Sequence, residues 1–220
     1  MGSELVAGFD GARDGWVVCV VDVDGGGVEF RAGPRLADLW DATWAVTGID
    51  MPIGLPSGSA RAADEQARAI LRHRSPTLFR TPDHAVLDAA DYAKARRLSV
   101  DACGKGLMKQ AFNLLPKIIE VRSCLGGPAP NVHEVHPETS FTVMNEGIPL
   151  APKTAGDGHA QRVELVSRWR SELAPVAAGL SVDALDAAAA AWTALRVHRG
   201  EHRLLGEGAD PDGYPLTMAV

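Results

Sequence analysis

The apolar positions of the first fifty residues fall in short, nearly unbroken runs, the spacing of buried strands rather than amphipathic helices. Leu5-Val6-Ala7-Gly8-Phe9 ends at Asp10, and the turn Gly11-Ala12-Arg13-Asp14-Gly15 leads into Trp16 to Val21. Gly25-Gly26-Gly27 predicts a hairpin turn into Val28-Glu29-Phe30, giving three antiparallel strands in a meander. Leu36 to Thr43 has a short helical pattern, and a second apolar run, Ala45 to Ile49, ends at Asp50. A strand that returns through a helix is expected to lie parallel to the first. Pro52 and Pro56 cannot continue an interior strand, so Asp50 is placed where the chain leaves the sheet.

Beyond residue 56 the spacing becomes helical. Residues 60–73 carry Ala62, Ala63, Ala67, Ile70 and Leu71 at helical intervals, 75–82 read as loop, and 86–98 as helix. A helix from Met108 to Val121 contains Pro116, which is expected to kink or split it. A turn at 126–130 precedes a strand from Val132 to His136, then a loop at 151–158. Helices at 161–173 and 183–198 follow, and the tail after Pro211-Asp212-Gly213 reads as a last strand or coil. The predicted fold class is α/β: a mixed sheet, three antiparallel strands plus parallel ones, flanked by helices. A chain of 220 residues can bury one full core, so residues 1–220 read as a single domain with a helical insertion at 57–125.

Composition narrows the setting. No apolar stretch approaches the roughly 20 residues of a membrane span, and Glu4 stands where a signal peptide would be basic. The expectation is a cytoplasmic protein without a membrane partner. Three cysteines, Cys19, Cys103 and Cys124, form no Cys-x-x-Cys pair, which disfavours a disulfide framework or a thiolate zinc site. The net charge of −6 argues against indiscriminate nucleic-acid binding, but it is unevenly spread. Between Arg61 and Arg122 lie twelve of the 22 basic residues and only seven of the 28 acidic ones. Such a segment could guide a polyanion, or simply form solvated helix faces.

The two strand-ending aspartates are the main candidate chemistry. Asp183 and Asp186, three apart on one helix face, supply a second acidic element behind the candidate N-cap Ser181. Helix-dipole stabilisation accounts for Asp183 without function but explains Asp186 less well. Carboxylates from three distant segments meeting at one sheet edge suit a hard divalent cation. Taken singly, each aspartate could instead be a turn residue. In His133-Glu134-Val135-His136, Glu134 and His136 share a strand face. Glu134 is then a further ligand candidate and His136 a ligand-orienting or proton-relaying group; a structural hydrogen-bonded pair is the alternative. Arg61, Asp64 and Arg68 share a helix face as an ion-paired network or as a grip on phosphate, with Arg74, Arg80 and Lys109 as similar candidates. No dinucleotide, phosphate-loop, zinc-protease or nucleophile-elbow pattern is present.

With these residues in view, the sequence resembles a family of uncharacterised bacterial and archaeal proteins, domain of unknown function 429, predicted to be nucleases of RNase H-like fold. The matching segments are Gly8-Phe9-Asp10-Gly11 with Gly15-Trp16, Gly48-Ile49-Asp50 through Pro56, and Arg61, Asp64 and Ala67-Arg68. Pro116 to Val121, Glu134 to Phe141 and Asp183 to Ala194 continue the match in order. The resemblance implies an acid on the first strand, one after the fourth and a pair on the last helix, positions that Asp10, Asp50, Asp183 and Asp186 fill. It implies one or two Mg²⁺ or Mn²⁺ ions on Asp10, Asp50 and Asp186, with Asp183 or Glu134 completing the shell. The expected chemistry is hydrolysis of a phosphodiester in nucleic acid or another phosphoester. A resolvase-like role would suggest a homodimer. Arg122 stands where an acidic residue is expected, and Met108 where a small hydroxyl residue is expected.

Two other functions fit the same pattern. Sugar kinases and actin-like ATPases share the fold and turn their first hairpin toward nucleotide phosphates, although they generally need two such domains. A non-catalytic binding module could also retain it, since fold alone does not decide function.

Overall fold

The computed structural model describes residues 4–153 and 155–220. Strands β1 (Leu5–Asp10), β2 (Trp16–Asp22) and β3 (Val28–Gly33) form the antiparallel meander, and α1 (Leu36–Leu39) leads to β4 (Val46–Asp50), parallel to β1. Helices α2 (Ala62–Leu71), α3 (Tyr92–Cys103) and α4 (Lys109–Leu125) precede β5 (Val132–Glu134), which lies parallel to β4. Then come α5 (Pro137–Met144), α6 (Gly156–Trp169), α7 (Val182–His198) and a small antiparallel pair, β6 (Leu204–Leu205) with β7 (Met218–Ala219). The main sheet runs β3-β2-β1-β4-β5, so the predicted mixed α/β sheet is present. No helix among the described residues is long and apolar enough to cross a membrane.

Strand alternation sorts the core onto both faces of the sheet. Phe9, Val18 and Ile49 pack with Leu36, Trp44 and the α4 residues Leu115, Ile118 and Val121. On the opposite face, Val6, Cys19, Val21 and Val46 meet Phe141, Val166 and the alanines of α7. The stretch predicted as an insertion therefore ends in a helix that belongs to the main core. Glu120 pins it: its carboxylate accepts from Trp16 Nε1 at 2.9 Å and from the Leu36 amide at 2.7 Å.

Several boundaries moved for local reasons. The helix read over 36–43 stops at Leu39, because Asp41 accepts from the Thr43 amide and hydroxyl at 2.9 and 2.7 Å and holds a turn. The helix read over 86–98 begins at Tyr92, capped by Asp91, and ends where Gly104 takes the left-handed φ of 70°. Pro116 sits within α4 without dividing it. The strand predicted to reach His136 ends at Glu134, since Pro137 opens α5, a helix the spacing did not predict. The helix read from 161 starts at Gly156 and ends at Trp169. The predicted loop 151–158 includes Thr154, which lies outside the described residues.

Two glycines set the distance between α7 and the sheet. A Cβ at Gly8 would lie 2.0 Å from the Ala191 amide nitrogen, and one at Gly48 would lie 2.8 Å from the Ala190 carbonyl oxygen. The helix backbone thus rests directly on β1 and β4, with buried alanines from 187 to 191 as its contact surface. This close seat brings the first turns of α7 to the strand ends carrying Asp10 and Asp50.

Candidate active site

Asp10 and Asp50 are paired in the β1–β4 register and share the sheet face that Gly8 and Gly48 present to α7. Their carboxyl groups are hydrogen-bonded to each other. Burial raises Asp10 above its ordinary value, although the bond to Asp50 and the charge of Lys153 oppose the rise. Asp50 is pushed well above the carboxylate range by burial, then by Asp10 and Asp186. Asp186 lies in the second turn of α7, whose N-cap Ser181 accepts from the Ala184 amide at 3.1 Å; it is 3% exposed and rises to about 7, chiefly through burial. Asp183 lies half-buried on the same helix, and its charge acts on Asp10. The four predicted acids therefore gather in one place.

Two positive groups that the sequence reading did not single out face them. Lys153, in the segment between α5 and α6, donates to Asp186 Oδ2 and lies 3.8 Å from Glu138. Burial works against its charge, but Asp186 and Asp50 outweigh it and hold the ammonium above its usual value. Lys117 lies over the Trp16 ring at 4.4 Å and donates to the Gly15 carbonyl at 2.5 Å. Burial lowers it, while Glu120, Asp10 and Asp183 pull it back. A Cβ at Gly11 would come within 3.1 Å of the Lys117 side chain, so that glycine gives the lysine its room. A lone lysine in a loop or amid a helix carries no spacing signal; only the fold brings these two to the acids.

Glu134 and Arg61 take different roles from those predicted. Arg61 is buried and donates to both Glu134 oxygens at 2.5 and 2.6 Å, to Asp64 at 2.6 and 2.8 Å, and to the Gly54 carbonyl at 3.3 Å. Glu134 also accepts from the Ile53 amide at 2.9 Å, and Asp64 from the Thr81 amide at 2.9 Å. The guanidinium is spent inside the protein and is not a phosphate grip, and the carboxylate is not free to serve as a ligand. They form a buried clamp joining α2, β5 and the loop after β4, the ion-paired alternative rather than the functional one. Arg122, the departure from the family pattern, is also internal: it pairs with Asp210 at 2.7 Å and Asp212 at 2.5 Å.

The other basic candidates lie apart. Arg68 donates to the Leu78 carbonyl at 3.4 Å, and Arg74 is half-buried with no partner at Nε. Lys109 is exposed, resting 4.6 Å over the rings of Tyr92 and of Phe112. None of the three lines the cavity described next.

Beside Asp10 and Asp50 opens a cavity of about 120 Å³. Its walls are largely apolar, and His136, the residue before α5, borders it with no partner at Nδ1. Burial and the positive charge of Lys153 push this imidazole down to about 4, so it is neutral at ordinary pH. Asp186 Oδ1 likewise has no protein partner. Among the described residues no group of three or more acidic, histidine or cysteine side chains is already set as a metal cage. Asp10 and Asp50 instead bond to each other, and Asp186 bonds to Lys153.

Fold and site together define an α/β protein with a buried carboxylate cluster where two adjacent parallel strands leave the sheet. The chain belongs to the family described as protein of unknown function (DUF429), which matches residues 8–210. No curated protein and no solved structure matches it.

Proposed function

We propose that the protein is a metal-dependent phosphodiester hydrolase, a nuclease of RNase H-like fold. The observation that carries this reading is the convergence of Asp10, Asp50 and Asp186 from β1, β4 and α7, all with raised proton affinity, beside a cavity. The reading is supported by acids that end β1 and β4 and a pair on α7, the positions that the resemblance implies.

The donors suit Mg²⁺ or Mn²⁺: they are carboxylate oxygens, and Asp186 Oδ1 lacks a partner. Asp10, Asp50 and Asp186 would hold the ion. Bound there, it supplies the Lewis acidity that activates water and stabilises a leaving oxygen. The chain's own residues perform the remaining tasks. Asp10 and Asp50 give up the proton they share when a cation arrives. Lys153 moves its ammonium from Asp186 to a phosphate oxygen, and Lys117 draws the anion toward the acids from the opposite side. Neutral His136 lines the cavity beside the acids and offers a hydrogen bond without adding charge.

The deciding experiment is Mn²⁺ titration by calorimetry on wild type and Asp10→Asn, followed by cleavage assays on single-stranded, duplex and hybrid nucleic acids. Binding and cleavage that both vanish in Asp10→Asn support the proposal. Cleavage unchanged in Asp10→Asn overturns it. A second reading, a non-catalytic binding module, draws on the Lys153–Asp186 pair, which neutralises the cluster without any metal. A folded wild type that neither binds Mn²⁺ nor cleaves would favour that module.

A further inference from the structure

We propose that the cavity beside Asp10 and Asp50 seats a single unstacked nucleobase, so that the substrate is an unpaired nucleotide rather than the interior of a duplex. This rests on the phosphodiesterase reading, which places the scissile phosphate at the carboxylates.

Position comes first. The cavity is bordered at one end by Asp10, Gly11 and Asp50, and is enclosed beyond them by side chains from the loop after β4, the segment after α2, and α4. A nucleotide whose phosphate lies at the acids has its base within reach of that space. Size then limits the occupant. A volume of about 120 Å³ holds roughly ten waters, which matches one ring system and excludes a base pair.

The lining selects for a flat ring. Phe79, Leu78, Leu114 and Met218 offer aromatic and aliphatic faces to stack on, a sequence-tolerant contact that every base can make. The polar groups in the wall are mostly engaged. Arg61 and Glu134 bind each other, and the Thr81 hydroxyl donates to Asp64 at 3.0 Å. Asp10, Asp50 and His136 are the lining polar side chains outside that set. An occupant must therefore be mostly apolar on its faces and carry a hydrogen-bonding edge. A simple hydrocarbon would use none of the polar groups at the Asp10–Asp50 end, and an isolated anion would find no free cation in the wall. A nucleobase meets both demands. A base in such a pocket has left its stack, which is easiest in a single strand, a bulge or a mismatch.

The test uses nucleosides in EDTA, so that neither metal nor phosphate affects the result. Adenosine, cytidine and ribose are titrated into wild type, Phe79→Ala and the less drastic, still apolar Phe79→Leu, followed by ligand-observed NMR and calorimetry, with melting curves as folding controls. Expected is nucleoside binding that exceeds ribose binding by about tenfold or more and falls by about tenfold in Phe79→Leu. Equal response to nucleosides and ribose, no nucleoside binding at millimolar concentration, or full affinity in a folded Phe79→Leu overturns the inference. The two proposals fail separately. Mn²⁺-dependent cleavage without nucleoside binding removes the pocket and leaves the hydrolase. Nucleoside binding without any metal response keeps the pocket and removes the hydrolase.

Discussion

Asp10 and Asp50 are register partners on neighbouring parallel strands, and their carboxyl groups bond to each other where the strands leave the sheet. Two buried carboxyls bonded to each other do not both carry charge unless a cation joins them. Burial favours a proton on that pair, and the Lys153 ammonium bonds to Asp186.

Asp10→Asn should therefore keep the fold while losing the cation response. Its amide can still bond to Asp50, so stability is expected to change by no more than about 1 kcal/mol. Mn²⁺ affinity should fall by at least about a hundredfold. Urea unfolding and calorimetry on the same preparation check both; a large stability loss would mean that the pair is structural.

Lys153→Met separates the competing cation from the acids. The variant should lose about 1–2 kcal/mol in the absence of metal, since Asp186 is left buried without its partner. At pH 8, where the carboxyls are ionised more readily, Mn²⁺ should bind about tenfold more tightly because a like charge is gone. Weaker Mn²⁺ binding in this variant would show that Lys153 helps to build the cation site instead of competing for it.

The pH dependence of stability follows from Asp186, which rises from an ordinary 3.8 to about 7. Folded protein retains this proton at pH values where the unfolded chain has released it. The resulting stabilisation is complete below about pH 4 and disappears as pH climbs through 7, with a size on the order of 4 kcal/mol. His136, pushed down to about 4, works in the other direction: its contribution is lost as pH falls below its ordinary value of 6.5. Subtracting the Asp186→Asn stability curve from wild type between pH 4 and 8 isolates the aspartate. A flat difference would contradict the burial of a proton there.

The buried clamp should behave as a unit. Arg61→Met leaves Glu134 and Asp64 uncompensated and is expected to cost about 3–5 kcal/mol. Adding Glu134→Gln should cost much less than the sum of the two single changes, because the partner's charge is already stranded. Chemical denaturation of the cycle measures this; strict additivity would mean that the two side chains do not interact.

Gly8→Ala tests the seat of α7. A methyl group 2.0 Å from the Ala191 nitrogen meets backbone, which cannot turn aside as a side chain would. The helix must lift from β1, with a loss of about 3 kcal/mol or failure to fold. Gly48→Ala, meeting the Ala190 carbonyl at 2.8 Å, should cost less and weaken Mn²⁺ binding by moving Asp186. A wild-type melting curve for Gly8→Ala would refute the close packing.

The sequence by itself determined the pieces that depend on neighbours along the chain. Apolar runs ending at Asp10 and Asp50, the glycine turn at 25–27 and the Ser181 cap mark their elements through strand burial, turn conformation and capping, all local effects. It also named the four acids, because a charge that ends a buried strand or enters a helix is conspicuous. Helix α5 escaped it, since its buried Glu138, Thr139 and Ser140 show no amphipathic period. The tertiary structure alone decided which charges are spent and which are available. Arg61 and Arg68 look alike in sequence, yet only one meets two buried carboxylates, and Lys153 acquires its place through packing of segments 33 residues apart. Ion pairing and burial depend on distances across the fold, and a charged residue carries no mark along the chain of the partner that will reach it.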